Sequence, residues 1–263
     1  AAPVRFGPLP MYSEEHIRQE FYPFIKYLES VLQRPVQFAF QSSNKKVVDA
    51  LVFDEIDLAF LGPLPFVMIA NQDPNVIPLL QFLNSDGSSG FTCSMGVFSA
   101  DNLQMFDLKN KQFALTQPYC TCGFMMTEHL LNQRGLSLAD NKFEYIGTHP
   151  NCALAVIAGK FSACGIKTSI GKQFQPLGLN LIAESESIPS FVLVANQRTL
   201  SNAEIDKVRK HLLALEPLKN QKDAELTKDW GALIKYGAIP VTVDDFRMIT
   251  DLAKKVDTDG VFK

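Results

Sequence analysis

Short apolar runs alternate with amphipathic stretches along this chain, in two successive series. That alternation constrains the fold more than any single motif does. Strands at period two and helices at period 3.6 must each bury a face, and their regular succession argues an α/β protein. Residues 4–7 read as a first strand. Ser13 before Glu14 and Glu15 marks a helix start with acids in its first turn, and Ile17, Phe21, Phe24, Ile25 and Leu28 follow at helical spacing. Residues 36–40 alternate as a strand, Val47, Val48 and Leu51 mark a helix, and 56–61 form a strand ending at Gly62-Pro63. A short helix over 64–70 and strands over 76–83 and 93–99 complete the first series, with the loop Asp86-Gly87-Ser88-Ser89-Gly90 before the last strand.

In the second series, the strand 113–116 passes through Gln117-Pro118-Tyr119 and Cys120-Thr121-Cys122-Gly123 into a helix reaching about residue 132. The strand 143–147 passes through Thr148-His149-Pro150-Asn151 into a helix over 152–158, with Asn151 as a candidate cap. Strands over 161–165, 179–183 and 191–195 follow, then helices over 202–215, 224–236 and 243–256. The late strand and helices returning after the second series predict two lobes joined by two crossings. Lobe 1 is expected over 1–92 and 194–263, and lobe 2 over 93–193. Ligands of open α/β sheets bind at strand carboxyl ends, so the expected site is a cleft between lobes that closes by hinging.

With 263 residues, 46% hydrophobic and 20% charged, the chain is long enough for a full core and ordinary for a globular protein. A net charge of −3 gives no basic footprint for nucleic acid. No apolar run reaches the length of a membrane span. The start Ala1-Ala2-Pro3 is compatible with cleavage after small residues. No Walker loop, HExxH, GxSxG or dinucleotide fingerprint occurs, and no enzyme is expected.

Cys120-Thr121-Cys122-Gly123 is the most specific local feature. A helix N-terminus exposes N–H groups and partial positive charge, a ready anion site usually furnished with Ser, Thr or Gly. Here two thiols flank a threonine, where the dipole is expected to favour the thiolate that binds soft elements. The five cysteines are Cys93, Cys120, Cys122, Cys152 and Cys164. An odd number leaves at least one thiol free even in an oxidising compartment. A bridge closing Cys120-Thr121-Cys122 would be strained. A structural reading joins Cys120, Cys122, Cys152 and Cys164 in two disulfides and leaves Cys93 unpaired. A ligand reading keeps the turn thiols free. The spacing does not match a zinc ribbon. His149, in the second strand-to-helix turn, either contacts ligand or bonds backbone. His16 and His211 read as surface residues, and His129 as packing or surface.

The segment Asp57-Leu58-Ala59-Phe60-Leu61-Gly62-Pro63-Leu64-Pro65-Phe66 resembles the first-lobe signature of the periplasmic phosphonate, phosphite and phosphate-binding proteins of ABC transporters. Asp86-Gly87-Ser88-Ser89-Gly90-Phe91, Gly147-Thr148-His149 with 153–160 after it, and Ile188-Pro189 resemble later family segments in order. The resemblance implies a type II periplasmic binding protein: two α/β lobes, periplasmic, monomeric, without catalysis or cofactor. Where family members carry Ser-Thr-Ser-Gly, this chain has Cys120-Thr121-Cys122-Gly123, and Phe191 stands near where aminophosphonate binders carry an acid. Within the family this cysteine pattern is most similar to an arsenite-binding branch that signals to a membrane histidine kinase controlling arsenite oxidation. That branch implies arsenite as ligand, with Cys93, Cys120 and Cys122 as alternative arsenic ligands and Thr121, His149 and Cys152 in the binding set. The alternative implied is a phosphite, phosphonate or phosphate receptor serving an ABC permease, its cysteines structural.

Overall fold

The computed structural model describes residues 2–256. Ala1 and residues 257–263, which the expected first lobe included, lie outside the described residues. The strands in chain order are β1 (Val4–Gly7), β2 (Val36–Phe38), β3 (Leu58–Leu61), β4 (Val76–Phe82), β5 (Gly90–Phe91), β6 (Cys93–Phe98), β7 (Gln112–Leu115), β8 (Lys142–Tyr145), β9 (Ala163–Lys167), β10 (Leu179–Glu184), β11 (Ile188–Pro189), β12 (Val192–Asn196) and β13 (Ala238–Ile239). The α-helices are α1 (Glu14–Leu32), α2 (Asn44–Val52), α3 (Pro63–Gln72), α4 (Met126–Asn132), α5 (His149–Ile157), α6 (Thr168–Phe174), α7 (Asn202–Leu213), α8 (Gln221–Thr227) and α9 (Arg247–Val256).

The chain divides into two compact units: residues up to Gly90 with Pro189–Arg247, and Phe91–Ile188 with α9 from Met248 onward. The crossings therefore fall at 90/91 and 188/189. The last helix groups with the second unit, whereas the expected lobe 1 ran through it. Its one-sided apolar set, Ile249, Leu252 and Val256, is buried.

The first unit holds a six-stranded sheet in the order β13-β4-β12-β3-β1-β2. β1 is parallel to β2 and β3, while the returning β12 inserts antiparallel between β3 and β4. Ser13 caps α1 by accepting from the His16 N–H at 3.3 Å, and α1 turns Phe21, Phe24 and Leu28 inward. Phe6, Phe24, Phe60 and Phe82 form the buried aromatic centre, and Phe191 stacks on Phe60 at 4.9 Å.

The predicted helix over 224–236 ends early, at Thr227. Trp230 turns into the core against Phe24 and Tyr27. Gly231 lies so close to α1 that a Cβ there would stand 2.3 Å from the Glu20 carboxylate. Packing overrides helical propensity at this point.

The second unit holds a five-stranded sheet in the order β10-β6-β9-β7-β8. β7, β8 and β9 are parallel, and β6 runs antiparallel to β9 and β10. Every residue of β9 is buried, as expected of a central strand covered on both faces. The strand predicted over 161–165 lies two residues later, so its carboxyl end is Lys167, and α6 begins directly after it.

Candidate functional site

Three parallel strands of the second unit end on one edge of its sheet, and each leads into a turn carrying chemistry. β7 leads to Cys120, β8 to His149, and β9 ends at Lys167. The sequence placed Cys120 and His149 in separate turns; the fold brings the Cys120 Sγ to 3.7 Å from the His149 Nε2.

The first turn is a π-helical turn over Thr121–Met125, with Cys120 as its N-cap in extended conformation. The Cys120 sulfur accepts from the Gly123 N–H at 3.3 Å, so the thiol takes the capping role usually filled by a hydroxyl. Gly123 is forced by crowding: a Cβ there would lie 1.9 Å from the Thr116 Oγ1. Thr121 and Cys122 are both buried. The Thr127 hydroxyl donates to the Cys122 carbonyl at 2.9 Å and ties the turn to α4.

Cys122 is bonded to Cys93 at the start of β6, leaving Cys120, Cys152 and Cys164 free. This corrects the structural pairing that joined Cys120, Cys122, Cys152 and Cys164 and left Cys93 unpaired. The reason is the strand period. Gly165 faces the π-turn, because a Cβ on it would meet the Thr127 Oγ1 and the Cys122 carbonyl at 1.6 and 2.8 Å. Cys164 therefore points to the opposite face, towards Gly96. Cys93 pairs directly with Lys167 across β6 and β9, two residues beyond Gly165, and so shares the face that carries Cys122. With that bond in place, Cys93 and Cys122 are both occupied, and of the three alternative arsenic ligands Cys120 alone keeps a free thiol. Among the described residues, no group of three or more His, Cys, Asp or Glu side chains is arranged to hold a metal ion.

The expected thiolate character of the turn is also reversed. Burial raises the Cys120 pKa, and this outweighs the lowering by the Thr116 hydroxyl and the Gly123 and Cys122 N–H groups. Burial also raises Cys152, and pushes Cys164 up to about 12. These two are buried, unreactive thiols, whereas Cys120 keeps partial exposure.

His149 is the first residue of α5, three residues earlier than the predicted start. Thr148 is the cap, accepting from the Asn151 N–H at 3.2 Å; Asn151, the expected cap, donates instead to the Ile146 carbonyl. His149 is buried, and its Nδ1 has no hydrogen-bond partner. Burial, with the nearby Lys167 charge second, drives the ring pKa down to about 3. The imidazole is therefore neutral near pH 7.

This carries a stability signature. The unfolded ring takes a proton near pH 6.5, and the folded ring only near 3. The residue's contribution is thus fully present above about 6.5 and falls with decreasing pH at up to about 1.4 kcal/mol per pH unit. In urea unfolding between pH 7 and 4, His149→Gln should flatten the fall in stability. An unchanged slope would show that the ring is not buried neutral.

Lys167 escaped the sequence reading because the strand was ended at Gly165. The available signal was a lysine closing the apolar run Ala163-Cys164-Gly165-Ile166. It is buried, its ammonium lies 5.1 Å from the Phe91 ring centre, and desolvation lowers its pKa to about 8. The remaining histidines are engaged elsewhere: His129 with Glu186 and Gln133, His16 near Glu20, and His211 with the Lys207 carbonyl.

Two α/β units, each with turns at the ends of parallel strands, are an arrangement that solute-binding proteins use. The family model for the phosphonate periplasmic substrate-binding proteins of ABC transporters matches residues 6–246, and the chain belongs to that family. Its members bind substrate for transport and are not enzymes. The chain is 24% identical over 265 residues to the phosphate-import protein PhnD of Mycolicibacterium smegmatis, covering 92% of this chain and 82% of that one. It is similar in fold to PhnD1 of Prochlorococcus marinus, solved with methylphosphonate, with a TM-score of 0.84, 19% identity and coverage of 97% and 98%. A binding protein of a phosphonate ABC transporter from Pseudomonas aeruginosa gives a TM-score of 0.81, 19% identity and coverage of 98% and 88%. No described helix is long and apolar enough to cross a membrane.

Proposed function

We propose that this chain is the substrate-binding subunit of an ABC importer for a small phosphorus oxyanion: phosphite, a phosphonate or phosphate. The observation that carries this reading is the family match across residues 6–246, supported by a relative named for phosphate import and another named for phosphite binding. The Cys93–Cys122 bond favours it further, since it turns two of the three candidate soft ligands into a structural link. The ligand sits at the carboxyl ends of β7, β8 and β9, against the Cys120 turn and His149. The partner that follows is an ABC permease rather than a membrane histidine kinase, and the compartment is the periplasm.

A second reading, arsenite, is favoured by one observation: Cys120 is a free, partly exposed thiol 3.7 Å from an imidazole nitrogen. A thiol and As(OH)₃ condense to S–As(OH)₂ and water, forming one As–S bond and breaking one As–O bond. The remaining hydroxyls can then bond His149 or Thr121. A thermal-shift series with phosphite, methylphosphonate, phosphate and arsenite separates the readings. Stabilisation by a phosphorus oxyanion that survives thiol alkylation is expected. Stabilisation by arsenite alone, lost on alkylation, would overturn the importer reading.

A further inference from the structure

We propose that the outer edge of β8 is a self-association surface, on which a second copy of this chain adds its own β8 antiparallel about a two-fold axis. The surface is separate from the ligand chemistry, and the proposal stands whichever solute the chain binds.

The edge is open. β8 ends the five-stranded sheet, with β7 on one side and, among the described residues, no strand on the other. All four of its residues, Lys142, Phe143, Glu144 and Tyr145, are exposed. The N–H groups of Lys142 and Ile146 turn towards β7, donating to the Lys111 and Leu115 carbonyls at 2.9 and 2.8 Å. Backbone groups along a strand alternate sides at period two, so those of Phe143 and Tyr145 point outward, away from β7. An exposed edge of this kind is a template for another strand.

The order of residues selects the partner. Lys142 and Glu144 share one face of β8, and Phe143 and Tyr145 the other, where their rings lie 5.6 Å apart. Neither Lys142 nor Glu144 forms an ion pair among the described residues. Antiparallel pairing centred on Phe143 makes the two Phe143 residues a hydrogen-bonded pair that exchanges two backbone bonds. It also sets Lys142 of each copy opposite Glu144 of the other. These fall at the non-hydrogen-bonded positions, where opposed side chains approach most closely. Opposite charges directly across are stabilising, and the two-fold axis makes each pair occur twice. Centring the pairing on Glu144 would instead set two glutamates against each other, which is destabilising. Lysine on an edge usually discourages pairing; here Glu144, two residues on, makes the strand complementary to itself. The interface is short, so the association is weak.

Sedimentation velocity at increasing protein concentration tests this, on wild type, Glu144→Lys, Lys142→Glu and the double exchange Lys142→Glu/Glu144→Lys. Wild type should form a concentration-dependent dimer that salt weakens. Each single variant opposes like charges and should raise the dimer dissociation constant by about tenfold or more. The double exchange restores opposite charges and should recover dimerisation. An equal mixture of the two single variants should dimerise where neither does alone, because one chain then offers only acids at these positions and the other only lysines. The substitutions are at exposed positions, so melting midpoints should match wild type. A wild type that stays monomeric throughout, a dimer indifferent to Glu144→Lys, or single variants that mixing does not rescue would each overturn the proposal.

Discussion

Replacing Cys93 and Cys122 together by alanine should lower the stability of the protein by about 3.6 kcal/mol. The bond closes a loop with a sequence separation of 29, and restoring that loop's freedom to the unfolded chain costs about this much in the chain-entropy model. For a chain of this size, about 7–14 °C in melting midpoint corresponds to that loss. The effect should fall mainly on the second unit, where β6 is stapled to the π-turn. Reduction of the wild type should reproduce it, and a reductant should leave the double variant unmoved. A wild-type midpoint insensitive to strong reductant, with the bond shown broken by thiol counting, would contradict the structural role given to this link. The same bond fixes one side of the turn whose cap is Cys120, so its removal should also weaken ligand binding beyond the loss of stability.

Gly165→Ala should be the most damaging single substitution near the site. Its Cβ would stand 1.6 Å from the Thr127 Oγ1 and 2.8 Å from the Cys122 carbonyl oxygen. A side-chain rotation can move the hydroxyl, but the carbonyl belongs to a turn pinned by a disulfide. The turn must therefore lift from β9 as a body, and overpacking of this kind costs about 1–3 kcal/mol or more. Loss of the Thr127 bond to the Cys122 carbonyl adds about 1 kcal/mol. Combining Gly165→Ala with Thr127→Ala should recover part of the loss, because it removes the nearer obstruction and leaves the carbonyl. Chemical unfolding of the two singles and the double reads this as a coupling energy. Strict additivity would mean that the turn does not rest on this strand as described.

Much of the architecture was legible because it depends on periodicity. Ile17, Phe21, Phe24 and Leu28 mark α1 whatever they pack against, and the two strand–helix series carry the two units. The elements that escaped are those set by tertiary contact. α8 stops where Trp230 is drawn into the core. Lys167 was missed because a lysine at a strand end reads as a surface residue until both faces of β9 are seen to be covered. The Cys120 turn and His149 were visible because strand-to-helix turns have sequence signatures. The disulfide partners were not, because pairing depends on which face of β9 each cysteine shares, and a one-residue change of register reverses that. The thiol pKa failed for a related reason: the dipole is local and readable, whereas the burial that outweighs it is not.

The site proposed at the ends of β7, β8 and β9 is expected to hold a phosphorus oxyanion rather than an arsenic bound through sulfur. Cys120→Ser tests it most directly, because serine keeps the capping geometry, supplies a hydroxyl donor and abolishes As–S chemistry. Calorimetric titration of phosphite, methylphosphonate and arsenite into wild type and Cys120→Ser should give binding of a phosphorus oxyanion in both proteins, equal or tighter in the serine variant. Binding of arsenite alone to the wild type, lost in Cys120→Ser, would contradict it.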